Sequence, residues 1–192
     1  MSYNKKQNKK GKERKRRMSG QKALVYKDTK SPVQEMAVTA VFIALTFVFT
    51  AAINVKLPFG QGGLIHMGNI PLFLGAILYG KKTGMLSGAI GMGLFDLLSG
   101  WVAWAPFTFL IVGCMGFVVG LVTEKQKSFG RCTAAIVLAL AIKVVGYYVA
   151  EVILYHNFLT PAASIFGNVM QVCMAGIIVL LILPVVKKVS SK

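Results

Sequence analysis

Lys143, Tyr147 and Glu151 recur at every fourth residue inside a run that is otherwise almost wholly apolar. On a helix that spacing puts all three on one face. Downstream, Asn168 and Gln171 are three residues apart and also neighbours on a helix. Upstream, Asp96 closes another apolar run and is followed by Trp101 and Trp104, while His66 and Asn69 open an earlier one. An ammonium, two carboxylates, amides, an imidazole and several aromatic rings can recognise a small polar molecule. Aromatic walls hold it, and a few directed polar groups fix its orientation.

The elements that must position these groups are membrane-like. The chain has 192 residues, 55% of them hydrophobic, and its mean hydropathy is positive. Soluble domains usually sit near about 45–50% apolar. The net charge of +16 is concentrated in a tail, because twelve of the twenty-two Lys and Arg lie in the first thirty residues. We expect residues 1–33 to be a disordered basic tail lying against anionic lipid, with no nucleic-acid partner. The apolar run after it is of spanning length and has no clear cleavage site, so it does not read as a secretory signal. Residues 34–192 should form one membrane domain.

Six apolar segments are legible: Gln34 to Ile53, Leu64 to Tyr79, Thr83 to Leu98, Trp104 to Thr123, Arg131 to Tyr155 and Pro161 to Val186. A span needs about 20 residues, so the second and third are short. The expected fold class is an all-α polytopic membrane protein with six transmembrane helices and both termini cytoplasmic. With that topology, twenty of the twenty-two basic residues fall on one side, leaving Lys56 outside and Lys143 within a helix. That matches the positive-inside rule, and an odd number of spans would spoil it.

The topology also gives each helix a direction. Asp96, Trp101, Trp104, Lys143, Tyr147, Glu151, Asn168, Gln171, His66 and Asn69 then all fall toward the outer side. Ionisable groups at bilayer depth are costly and usually face a bundle interior or a watery cavity. A pocket opening outward is the simplest common cause. Simpler roles stay open for each residue. The tryptophans could be interfacial anchors, Asp96 a helix cap, Lys143 and Glu151 a structural ion pair, and Asn168 and Gln171 a bridge between helices. The glycine-rich "VKLPFGQGGLIH", Val55 to His66, could be a lid over the pocket or a plain connector.

Small residues repeat at four-residue spacing in Ala40/Ala44, Gly84/Gly88 and Gly116/Gly120. That spacing lets helix backbones approach closely, inside the bundle or against a membrane partner. Catalytic and metal patterns are missing. "GAILYGKKT", Gly75 to Thr83, nearly matches a phosphate-binding loop but carries Lys82 where Ser or Thr is needed. There is no HExxH, no GxSxG and no second intramembrane Asp beside Asp96. Cys114, Cys132 and Cys173 have no metal spacing and read as reduced, packed thiols. We expect neither an enzyme nor a bound metal or cofactor.

The stretch "LPFGQGGLIHMGNIPLFLGAILYGKKTGMLSGAIGMGLFDLLSGWVAWAPFTF", Leu57 to Phe109, resembles the substrate-binding S components of energy-coupling factor (ECF) vitamin transporters, especially the riboflavin-type group. "IHMGNIP", "GMLSGAIGMGLFDLL" and "WAPFT" carry the likeness, which extends from about Glu35 to Val186. The resemblance implies a six-helix protein of the prokaryotic cell membrane that captures a vitamin or precursor in its outer half. Riboflavin-, pyridoxine- and thiamine-precursor-like compounds all fit. It also implies partners: a transmembrane scaffold subunit and two cytoplasmic ATPases, the scaffold meeting Ala40 and Ala44. The S component would topple in the membrane to release its ligand inside. Many relatives carry a lysine where this chain has Val112, and Lys143 on the next helix can supply a substitute charge. A self-sufficient, ion-coupled transporter using Asp96 or Glu151 as a proton relay is the rival expectation.

Overall fold

The computed structural model describes residues 31–56 and 64–190. The expected tail therefore lies almost wholly outside the described residues, as does the tip of the expected lid, residues 57–63. Six helices and one small hairpin make up the described chain. Helix α1 spans Pro32–Ala52, strands β1 and β2 span Asn54–Lys56 and Leu64–His66, and α2 spans Asn69–Tyr79. Then follow α3 (Lys81–Leu98), α4 (Ala105–Thr123), α5 (Phe129–Tyr155) and α6 (Ala162–Ser190). This is an all-α membrane protein with a minor β element. Four helices, α1, α4, α5 and the Ala162–Val186 part of α6, are long and apolar enough to cross a bilayer.

The chain divides into a unit ending at Met36 and a unit running from Ala37 to Lys192. Among described residues the first contributes only the opening of α1, where the Ser31 carbonyl accepts from the Gln34 and Glu35 N–H groups at 2.8 and 3.1 Å. Everything below concerns the second unit.

The second apolar segment departs from the expected Leu64 to Tyr79 helix. Leu64, Ile65 and His66 form a strand that pairs antiparallel with Lys56, Val55 and Asn54. Helix α2 begins only at Asn69 and has 11 residues. At 1.5 Å rise per residue it is about half the length of a hydrocarbon core. Nearly all of it is buried, including Leu72, Phe73, Ala76 and Ile77 at 0–1% exposure. It is therefore solvated by protein rather than lipid. Gly80 ends it at φ +99° and starts α3 at the next residue, a left-handed turn that glycine allows without strain.

Helices α3 and α4 touch backbone to backbone. A methyl built on Gly84 would stand 2.5 Å from the Gly116 carbonyl oxygen, and one on Gly88 would stand 2.6 Å from that of Val112. The two glycine pairs are thus an internal seam. Helix α1 packs on α2 and α3 mainly through side chains, with one close backbone approach where a methyl on Gly91 would stand 2.9 Å from the Ile43 carbonyl oxygen. Phe42 meets Tyr79 with ring centroids 5.3 Å apart, Phe47 meets Phe95 at 6.5 Å, and the Thr39 and Thr83 hydroxyls bond at 3.0 Å. Its opposite face, with Ala37, Ala40, Ala44, Val41 and Val48, is exposed. The core joins α2, α4, α5 and α6 through residues such as Met115, Ala139, Val172 and Val179.

Connectivity gives the bundle two ends. The hairpin, the α3–α4 connection and the α5–α6 connection share one. The Gly80 turn and the α4–α5 connection share the other. There, Lys81 pairs with Glu124 at 3.1 Å, and Lys127 donates to the last-turn carbonyl of Leu78 at 2.9 Å.

Candidate functional site

A cleft with about 550 Å³ of empty space, counting the solvent it opens to, lies at the hairpin end. Each wall is placed by a local feature of the sequence. Helix α3 delivers Asp96 in its last turn, and the Asp96 carbonyl accepts the Trp101 N–H at 2.8 Å, folding the chain back. Trp104 then stands just before α4, where Pro106 fits the first turn because its missing N–H would be unpaired there anyway. Helix α5 presents Lys143, Tyr147 and Glu151 on one face, and α6 presents Ser164, Gly167, Asn168 and Gln171. Strand β2 supplies Leu64 and His66.

Nine of the ten residues expected to contact a ligand line this one cleft: His66, Asp96, Trp101, Trp104, Lys143, Tyr147, Glu151, Asn168 and Gln171. Asn69 does not. It opens α2, is 0% exposed, and neither atom of its amide has a hydrogen-bond partner among the described residues. The cause is the shortened helix: the chain from Leu64 to His66 forms the wall, and Asn69 falls behind it.

The bonding within the cleft is specific. Lys143, 1% exposed, donates from Nζ to Gln171 Oε1 at 2.7 Å and lies 5.7 Å from the centroid of the Tyr147 ring. The other end of the Gln171 amide donates to the Leu64 carbonyl. Tyr147 and Thr108 join their hydroxyls at 3.0 Å. Trp104 packs edge-on against Tyr155 at 5.8 Å. The floor of the cleft is therefore cross-linked by hydrogen bonds, and aromatic rings line its walls.

Two simpler roles can now be judged. Lys143 and Glu151 do not form an ion pair: the described residues hold one salt bridge, Lys81 with Glu124, at the far end. Gln171 does bridge helices, but the group it meets on α5 is Lys143 itself. An ammonium has three protons to donate, and here one amide oxygen and a ring face are the described partners. Buried charges are ordinarily paired.

The hairpin carries one further feature. The Gly68 N–H donates to His66 Nδ1 at 3.3 Å. Burial holds the His66 imidazole well below its ordinary value of 6.5, and the nearby Lys143 charge acts in the same direction. The ring is thus neutral near pH 7, with its proton on Nε2.

Thr108, Ser164, Gly167 and Leu64 line the cleft and were not singled out from the sequence. Ser164 could have been found, because Ser164, Asn168 and Gln171 repeat at helical spacing. Thr108 lies four residues after Trp104. Gly167 and Leu64 carry no polar signal at all.

A membrane bundle with a polar, aromatic-walled cleft at one end is the build of a small-molecule binding or transport protein. Residues 30–188 match the family model for the ECF-type riboflavin transporter S component. The chain belongs to that family, whose members are subunits of transporters rather than enzymes. It is 31% identical over 132 residues to an uncharacterised protein from Pyrococcus woesei, covering 69% of this chain and 86% of that one. It is 22% identical over 156 residues to the thiamine precursor transporter HmpT of Lactococcus lactis, covering 81% of this chain and 89% of HmpT. A UPF0397 protein from Vibrio atlanticus is 29% identical over 151 residues, covering 64% and 82%.

Proposed function

We propose that this chain is the substrate-capturing subunit of an ECF importer. It takes a flat, water-soluble vitamin or vitamin precursor into the hairpin-end cleft and passes it through a scaffold subunit driven by partner ATPases. The observation that carries this reading is Lys143, a buried amine that forms no direct salt bridge among the described residues and lines a cleft with aromatic walls. An occupant bearing a carbonyl, ring nitrogen or oxyanion would complete its coordination. Donor groups on the same occupant would suit Asp96 and Glu151.

Orientation follows from charge. Lys81, Lys82, Lys125, Lys127 and Arg131 all sit at the end opposite the cleft. The positive-inside rule makes that end cytoplasmic and the cleft outward, in a six-segment cell-membrane protein with both termini inside. The short α2 then reaches across by being embedded in protein. The exposed Ala40 and Ala44 stripe suits close contact with a scaffold helix. The basic tail suits anionic lipid.

Riboflavin is the substrate in the family's name, and a thiamine precursor is that of HmpT. Titration with riboflavin, pyridoxine and thiamine precursors tests the reading. Both tryptophans of the chain line the cleft, so intrinsic fluorescence reports directly on it. A saturable change with one compound, together with co-purification of ATPase partners, is expected. Silence across the panel with no ATPase bound would refute the assignment.

A further inference from the structure

Gln171 occupies an unusual position between two groups that have opposite hydrogen-bonding needs. The Lys143 ammonium can only donate, and the Leu64 main-chain carbonyl can only accept. A neutral primary amide serves both at once. Its Oε1 accepts from Lys143 at 2.7 Å, and its Nε2 donates to Leu64. Gln171 is 4% exposed and Lys143 1%, so neither bond is exchanged easily for water. Leu64 is the first residue of β2, and β2 is half of the hairpin that walls the cleft. Beside the strand the other bonds are local: the Gly68 N–H donates to His66 Nδ1 at 3.3 Å, and the Met67 N–H reaches the Ile53 carbonyl at 3.2 Å.

We infer that Gln171 is a positioning residue that tethers the hairpin to Lys143, so that whatever fixes the ammonium also fixes the hairpin wall. Hydrogen bonds in series polarise one another, so the Lys143 N–H donated to the amide oxygen strengthens the Gln171–Leu64 bond. The ammonium that meets the occupant and the hairpin at the mouth of the cleft thus become one unit. The role in occupancy rests on the reading of the cleft as a ligand site; the tether itself does not.

The test is hydrogen–deuterium exchange on the full-length, ligand-free protein in lipid nanodiscs at neutral pH. Three variants are compared with wild type. Gln171→Glu keeps the side-chain volume and pairs with Lys143, but offers Leu64 a second acceptor in place of a donor. Gln171→Met removes both bonds. Lys143→Met leaves Gln171 and its donor in place. Both Gln171 variants should speed exchange at residues 64–67 at least tenfold, with α2 residues 72–77 unchanged. Lys143→Met should speed it about threefold or more, although the Lys143 hydrogen bond goes to Gln171 and not to either strand. Wild-type rates in Gln171→Glu would overturn the tether. Fast exchange in Gln171→Glu with wild-type rates in Lys143→Met would overturn the transmission from Lys143. A rise spread evenly through α2 to α5 would overturn both, because it would make Gln171 a general packing residue. Failure of riboflavin or a thiamine precursor to bind would count against the ligand site and leave these rates as they are.

Discussion

The two ends of the bundle treat charge in opposite ways. At the basic end even half-exposed groups are paired: Lys81 with Glu124, Lys127 with the Leu78 carbonyl. There α3 and α4 close on a glycine seam that leaves no room for a methyl. At the hairpin end, Asp96, Lys143 and Glu151 lie in or beside an open cleft and form no ion pair with one another. Pairing is inexpensive where water helps and most needed where it does not. Leaving the deeper charges unpaired therefore marks the cleft as the place where the molecule gives up some stability for function.

This contrast can be broken from either side. The largest effect should come from the seam. Gly116→Leu must push α3 from α4, because the new side chain meets the Gly84 and Met85 backbone, which cannot turn away. The loss should exceed about 3 kcal/mol, and thermal unfolding should show little folded protein. Lys143→Met should do the reverse. The bundle should melt at the wild-type temperature or above, since an under-coordinated buried charge is gone. Affinity for the compound found in the vitamin titration should fall about 10- to 100-fold, as expected for a lost charged hydrogen bond of about 1.5–3 kcal/mol. Equal losses of stability and binding would show that Lys143 is structural.

Acid should loosen the hairpin end before the basic end. The folded pKa of His66 is lowered, so at pH above about 6.5 it is neutral folded or unfolded and contributes no pH dependence. As pH falls below that, the unfolded chain takes up a proton that the folded one refuses, and stability drops. Lys143 is the charged group acting on it, and Asp96 and Glu151 share the cleft. The measurement is therefore the difference between wild type and His66→Gln in thermal melts from about pH 7.5 to 5.0. A steeper fall in wild type is expected, and parallel curves would remove His66 from the account. The smallest effect belongs to Lys81→Ala. An ion pair with side chains 36% and 54% exposed is worth less than about 1 kcal/mol. A larger shift in the melt would mean that the basic end is less evenly held than described.

Much of the cleft was legible because helical periodicity is a strong signal. Lys143, Tyr147 and Glu151 share a face of a helix, and an apolar run of that length could be little else. The placement of Asn69 outside the cleft lining has a definite origin. "LIH" is apolar enough to continue a helix backwards, and a three-residue strand is held by a partner across a connection, which no local pattern reveals. The small-residue repeats expose a second limit. Ala40/Ala44 and Gly116/Gly120 carry the same spacing, yet one faces outward and the other meets a backbone. Spacing states that a close approach is possible; only the neighbouring helix decides whether it is internal. Gln171 was expected to contact a ligand or bridge two helices. That it would hold a strand as well depends on a hairpin the periodicity could not show.

The central claim is that the hairpin-end cleft holds a small heterocyclic ligand through Lys143. Native mass spectrometry of the protein released from its own membranes tests this most directly, with wild type and Lys143→Met prepared side by side. The account predicts one small aromatic heterocycle retained at one per wild-type chain and absent from the variant. Wild-type protein that emerges bare and shows no mass shift with riboflavin, pyridoxine or thiamine precursors would contradict it. So would a ligand that Lys143→Met retains equally well.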